Sequence, residues 1–236
     1  MDFGEYYKDK DVVDSYDSLR NKGLKARIVR MLEREYVNIL MGKARKQDIL
    51  EIGVGTGFIA KLLIQKGNFQ GMDISKEMLN KTALILGNVK LTEGSILNIK
   101  LKDKFDKIVT IRVISHFNKK DAITAIENIS SRLKPNGEAI FNLENVSYTR
   151  RFLRKIRRWG STLNYQYSQK EIKEICEEAG LELEKIIYLD HLFVLPLHLI
   201  NKILFNSLDK FIFNVEIKLR NIKYSSNNSF ILCKKP

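Results

Sequence analysis

From Asp48 onward short apolar runs alternate with amphipathic helical stretches, and this alternation restricts the chain to a parallel sheet with helices on both faces. Strands covered on both sides read as continuous apolar runs. Such runs occupy residues 49–52, 69–73, 89–92, 105–111 and 138–143. Between the last two, Ile123, Ile126 and Ile129 form one stripe of a helix over 122–133, which Lys134-Pro135-Asn136-Gly137 stops with a turn. Ser168 and Glu171 have capping-box spacing, and Ile172, Ile175, Cys176 and Ala179 continue that helix's apolar face until Gly180. Residues 181–188 and 229–233 predict two further strands, separated by a long apolar insert.

The 236 residues suit one α/β unit with inserts, large enough to bury a core without metals or disulfides. Residues 1–47 predict a helical prelude, with Leu24, Ile28, Met31 and Leu32 near helical spacing, and residues 48–236 the main domain, with inserts at about 147–167 and 189–226. Hydrophobic residues at 44% and charged residues at 29% exclude wholesale disorder. Cys176 and Cys233 have the spacing of neither a zinc site nor a disulfide framework, and residues 1–10 lack an apolar signal stretch, so a cytoplasmic protein without a metal centre is expected. A net charge of +13 fits nucleic acid, an anionic membrane surface, or a lysine-rich composition with no such partner.

The sharpest local signal is Glu51-Ile52-Gly53-Val54-Gly55-Thr56-Gly57, between an apolar run and the helix-like residues 58–63. Closely spaced glycines let the backbone turn sharply and approach a ligand that a Cβ would block. Asp73 ends the next strand, where a carboxylate accepts hydrogen bonds from both ribose hydroxyls of a nucleoside. The segment from Gly55 to Ala60 also satisfies a loose dinucleotide fingerprint, but a nicotinamide or flavin site would leave Glu51 unpaired inside a buried strand.

The run from Glu51 to Gly57, followed by Gly71-Met72-Asp73-Ile74-Ser75-Lys76-Glu77-Met78-Leu79, resembles the first two motifs of class I S-adenosylmethionine-dependent methyltransferases. Glu93-Gly94-Ser95-Ile96, Phe105-Asp106-Lys107-Ile108-Val109 and Leu133-Lys134-Pro135-Asn136-Gly137-Glu138 follow in the family's order, and the resemblance covers about residues 48–188. It implies a Rossmann-like three-layer sandwich with a seven-stranded, mostly parallel sheet whose last strand is antiparallel. It also implies S-adenosyl-L-methionine as cofactor. Gly53, Gly55 and Gly57 then shape the methionine-side turn, Glu51 supports the cofactor's amino end, Asp73 holds the ribose, and Ile74 and Met78 flank the adenine. Ser95 stands where the family commonly has an acidic residue facing the adenine amine, and Ile96 supplies backbone contacts.

A sulfonium already activates the methyl group, so the protein must mainly align an acceptor and exclude water, and a base matters most for a hydroxyl acceptor. His116, after the fourth strand, is the base candidate, with packing as its alternative role; Arg112 lines the same edge. Tyr16 and Arg20 resemble residues that some relatives fold over the cofactor carboxylate, and serve equally as helix surface. Arg150, Arg151, Arg154, Lys155, Arg157 and Arg158 surround Phe152, Leu153, Ile156 and Trp159 in a basic amphipathic segment suited to phosphate, lipid headgroups, RNA or solvent. The apolar insert at 189–226 is interrupted by Asn201 and Lys202 before it reaches membrane-spanning length, which predicts a cap over the acceptor or a surface helix, with core packing as the alternative. Together these features favour a small or lipid-like acceptor, with RNA methylation or non-catalytic cofactor binding as alternatives and peripheral membrane contact in reach.

Overall fold

A computed structural model describes residues 6–22, 25–43, 46–146, 165–191, 194–205, 207–222 and 226–236. The basic segment at 150–159 and Leu24 lie outside them. In chain order the elements are α1 (Lys10–Asn21), α2 (Ala26–Met41), β1 (Gln47–Ile52), α3 (Ala60–Leu63), β2 (Gly67–Asp73), α4 (Lys76–Leu86), β3 (Lys90–Glu93) and β4 (Phe105–Thr110). A single 3-10 turn (Ile114–His116) leads to α5 (Lys119–Arg132), β5 (Leu133–Asn145), β6 (Gln166–Tyr167), α6 (Gln169–Glu178), β7 (Glu182–His191), α7 (Leu195–Ile203), α8 (Asp209–Leu219) and β8 (Ser226–Lys234).

The sheet runs β3-β2-β1-β4-β5-β8-β7, and β8 is antiparallel to both of its neighbours. The seven expected strands form this path. The two-residue β6 adds an eighth by pairing Glu144 with Gln166 and Asn145 with Tyr167, too short to register as a periodic apolar run. Register between β4 and β5 jumps from Phe105 opposite Leu133 to Lys107 opposite Glu138, so residues 134–137, expected as a turn ahead of the strand, instead form an irregular stretch inside β5, with Asn136 at φ 60°.

Alternation along each strand sends its side chains to two cores. Leu50, Ile52, Ile108, Ala139, Phe141 and Ile231 meet Ala122, Ala125, Ile126 and Ile129 of α5 and Ile172, Ile175 and Cys176 of α6. Ile49, Val109, Ile140, Ile187 and Phe230 meet Ile28, Leu32, Tyr36, Val37 and Leu40 of α2 and Ile212 of α8. Helix α6 starts with the expected capping box, Ser168 accepting from the Glu171 amide at 3.2 Å while Glu171 accepts from the Ser168 amide at 2.7 Å.

The apolar insert departs from the expected cap. Its described residues complete the second core from behind α2, where Val194 and Ile212 are buried and Tyr36 donates to the Glu216 carbonyl at 3.2 Å. An unfilled sheet face beside β7 and β8 takes this apolar length. Met31, counted with the apolar positions of α2, stays 41% exposed because it lies off the stripe that carries Ile28, Leu32 and Tyr36.

Candidate functional site

The period-two pattern that buries Ile49 against α2 also sends Glu51 to that face, at the C-terminal end of the central strand, where ligands bind in open α/β sheets. The chain then turns through Gly53, Gly55 and Gly57, whose φ values are 76°, 55° and 79°. A Cβ at Gly53 would lie 2.3 Å from the Val113 Cγ2, so a side chain here would have to displace Val113 as well as hold a strained positive φ. The amides of Gly53 and Val54 donate to the Met72 carbonyl at 2.7 and 3.1 Å.

Asp73 fixes the other side of the turn. Its Oδ2 accepts from the Gly55 amide at 2.7 Å and its Oδ1 from the Ser75 amide at 2.9 Å. Burial pushes its carboxyl pKa up, against the lowering by these backbone donors. Thr82 of α4 donates to the Gly55 carbonyl at 2.7 Å, so the turn is held from two elements.

Glu51 is 2% exposed and its Oε2 has no hydrogen-bond partner among the described residues. Burial, reinforced by the nearby Asp73 charge, holds its carboxyl well above the usual carboxylate range. A buried acceptor of this kind is costly unless something supplies a donor.

A pocket of about 60 Å³ opens beside this carboxylate, lined by Glu51 and the turn, by Tyr16 and Arg20 of α1, by Arg30 and Glu33 of α2, and by Arg112. Arg112 pairs with Glu33 at 2.5 Å, and its amide donates to the Asn142 Oδ1 at 2.6 Å, which holds it at φ 62°. The Arg20 guanidinium lies 5.1 Å from the Tyr16 ring centre, and that of Arg30 lies 4.1 Å from the centre of Phe58. Helix α1 crosses the turn itself: Thr56 donates to Asp17 at 3.1 Å, and Asp17 also holds Arg30 at 3.2 Å. A wider cleft of about 320 Å³, lined by Asp48, Asn68, Gln70, Lys90 and Asp103, lies at the opposite, N-terminal ends of the strands, away from the turn.

The structure therefore brings Tyr16, Arg20, Glu51, Gly53, Gly55 and Arg112 together around one space, with Asp73 and Gly57 supporting it. Ile74 is half-buried and Met78 buried at the start of α4. Ser95 is engaged locally, its Oγ accepting from the Leu97 amide at 3.3 Å, and the Ile96 carbonyl accepts from the Asn128 side chain at 3.0 Å. His116 is half-buried outside the pocket lining, with its ring 6.3 Å from that of Tyr7; Tyr7 in turn meets Tyr16 edge-on at 6.1 Å. An aromatic chain thus joins His116 to the pocket wall.

Asp17, Thr56, Arg30, Glu33, Thr82 and Tyr7 were not singled out from sequence. Only Glu33 carried a readable signal, a charge on the helical stripe of Val29, Tyr36 and Leu40.

The turn, the orphaned Glu51 oxygen and the three guanidinium groups fit the amino-acid end of S-adenosylmethionine: an ammonium for Glu51, a carboxylate for the arginines, and backbone room at Gly55, where a Cβ would meet only the Gly53 carbonyl at 4.0 Å. Residues 49–137 match the methyltransferase domain family. An uncharacterized methyltransferase of Alkaliphilus oremlandii is 34% identical over 118 residues, 48% of this chain and 54% of that protein. A malonyl-[acyl-carrier protein] O-methyltransferase of Priestia megaterium is 26% identical over 176 residues, 68% of this chain and 64% of that protein. These matches span about half to two-thirds of the relatives' length. The magnesium protoporphyrin IX methyltransferase of Synechocystis, crystallised with S-adenosylhomocysteine, superposes with a TM-score of 0.69 at 14% identity, covering 99% of this chain and 98% of that one, a likeness of fold.

Proposed function

We propose that this chain, which belongs to the class I S-adenosylmethionine-dependent methyltransferases, transfers a methyl group to a small or lipid-like organic acceptor. The observation that carries this reading is the unpartnered, buried Glu51 oxygen beside a glycine turn pinned by Asp73. The cofactor supplies a methyl group already activated on a sulfonium, so the protein's task is positioning and exclusion of water. Glu51 accepts from the amino end. Arg20 and Arg112, with Tyr16 beside them, hold the carboxylate, and Asp73 uses its remaining lone pairs on the ribose. Ile74 and Met78 flank the adenine, with Ser95 and Ile96 at its edge.

Ligand pockets for molecules of this size run to about 300 Å³ or more. At about 60 Å³, the pocket must widen as cofactor enters, and α1 is the element that moves, releasing the Thr56–Asp17 bond. His116 serves as base when the acceptor is a hydroxyl, reached across Tyr7. A carboxylate acceptor needs no base, since its lone pair is free at neutral pH.

The names of the relatives, a malonyl group on a carrier protein and magnesium protoporphyrin IX, support an organic acceptor with an anionic or apolar part. The net charge of +13 favours a second reading, methylation of tRNA or rRNA. A cytoplasmic setting suits two free, buried thiols. The deciding experiment incubates the protein with isotopically labelled cofactor and either a metabolite and lipid extract or total RNA, then follows the label by mass spectrometry. Label in a small molecule is expected; label confined to RNA, lost steeply with added salt, replaces this reading with the second.

A further inference from the structure

Helix α7 packs Leu197 against the second core but leaves much of its apolar surface in water. A surface helix buries its apolar stripe and exposes its polar one. In α7 the buried side chains are His198 and Asn201, while Leu199, Ile200 and Ile203 are 52%, 47% and 74% exposed. The apolar surface continues past the helix through Leu204, Phe205, at 93% exposure, and Phe211. Scattered exposed apolar residues are ordinary; a contiguous group at one tip marks an interaction surface.

The tip is built to hold this shape. Asn201 donates to Asp209 and accepts from the Leu208 amide, both at 2.8 Å, so the turn between α7 and α8 is stitched from inside. Phe205 sits at φ 49°, a conformation a bulky residue takes only when its surroundings impose it, and its ring points to solvent.

Charge identifies the occupant. Between residues 195 and 220 the cations are Lys202, Lys210, Lys218 and Arg220, and the carboxylates are Asp209 and Glu216. Both carboxylates are spent internally, Asp209 on Arg27 and Glu216 on His191. Lys202 and Lys210, exposed beside the apolar residues, leave the rim positive. A second copy of this chain would set like charges against each other, whereas an anionic lipid surface offers hydrocarbon for the tip and headgroups for the rim. No helix among the described residues is long and apolar enough to cross a membrane, so the contact is shallow.

We propose that the tip of α7 and the turn into α8 insert into the headgroup–acyl boundary of an anionic bilayer. This stands apart from the methyl-transfer reading, because it concerns binding alone. The test is flotation of the full chain with vesicles of phosphatidylcholine, and of phosphatidylcholine mixed with phosphatidylglycerol. Binding to the mixed vesicles is expected, weaker in high salt. The double variant Ile203→Ser, Phe205→Ser should lose at least about tenfold in vesicle affinity, and Lys202→Glu with Lys210→Glu should lose binding to anionic vesicles while cofactor affinity stays unchanged in both. Absence of binding to mixed vesicles, or undiminished binding by the serine variant, overturns the proposal. So does a wild-type dimer, by sedimentation velocity, that the serine variant converts to monomer without any change in vesicle binding.

Discussion

At the scale of single residues, Glu51 joins stability to ligand binding. Its folded-state pKa lies above the value of about 4.3 for an unfolded glutamate, so its contribution to stability is complete below that pH and is lost as pH rises through the folded value. An ammonium arriving beside it reverses the preference. Cofactor binding should therefore release a proton, visible as a dependence of the calorimetric heat on the buffer's ionisation enthalpy. Glu51→Gln should abolish that release and weaken binding about tenfold or more while leaving the fold at least as stable; retained proton release would place the titrating group elsewhere. The two glycines at the head of the turn should separate in the same spirit. Gly53→Ala drives a methyl into Val113 at positive φ and should cost about 2 kcal/mol in chemical denaturation. Gly55→Ala also takes a left-handed backbone, at φ 55°, but its methyl meets open space, so it should cost less stability, about 1 kcal/mol, and weaken cofactor affinity as well. The glycines and both carboxylates were legible in the sequence because turn chemistry is local. The bond from Thr56 to Asp17 was not, since nothing periodic relates residues 39 apart.

At the scale of elements, a buried His191–Glu216 pair links β7 to α8. His191 Nδ1 lies 2.7 Å from Glu216 Oε2, and its Nε2 lies 2.8 Å from the Ile222 carbonyl, so both ring nitrogens face acceptors. Burial opposes the charged ring, but the Glu216 hydrogen bond and the Ile222 carbonyl outweigh it and raise the pKa. The raised value places this pair's stabilisation below the unfolded histidine pKa of about 6.5, and it fades as pH climbs through the folded one. Melting temperature should fall over that upper window in the wild type, and Glu216→Gln should lower stability by about 3 kcal/mol at pH 6 while removing the slope. A slope that survives the substitution would assign it to another group. Helix α1 is fastened more lightly. Asp17→Ala removes its bonds to Thr56 and Arg30, and stopped-flow should show cofactor association and dissociation both accelerating. Unchanged rates would mean that α1 does not gate the pocket. Capping and periodicity made α5 and α6 legible in the sequence, whereas the polar underside of α7 was hidden because much of its apolar surface faces outward.

At the scale of the whole molecule, the two cores differ in how they are assembled. The one under α5 and α6 is drawn mainly from the successive βα units between β1 and α6, with Ile231 and Cys233 of β8 added, and most of it followed from pattern alone. The one under α2 takes its parts from both ends of the chain, with Tyr36 meeting Phe230 at 5.7 Å, and sequence showed the apolar insert without showing where it would settle. Replacing residues 192–225 by a short polar loop should therefore unfold the protein, read as loss of a cooperative thermal transition, rather than yield a folded enzyme with a broader acceptor range. The position of β8 has a further consequence, for synthesis. Among the described residues β7 pairs only with β8, and β5 waits for β8 along its outer edge. During translation the glycine turn and its neighbouring strands leave the ribosome long before residues 226–234 exist, so until then the edges of β5 and β7 that β8 covers stay bare and open to pairing with other chains.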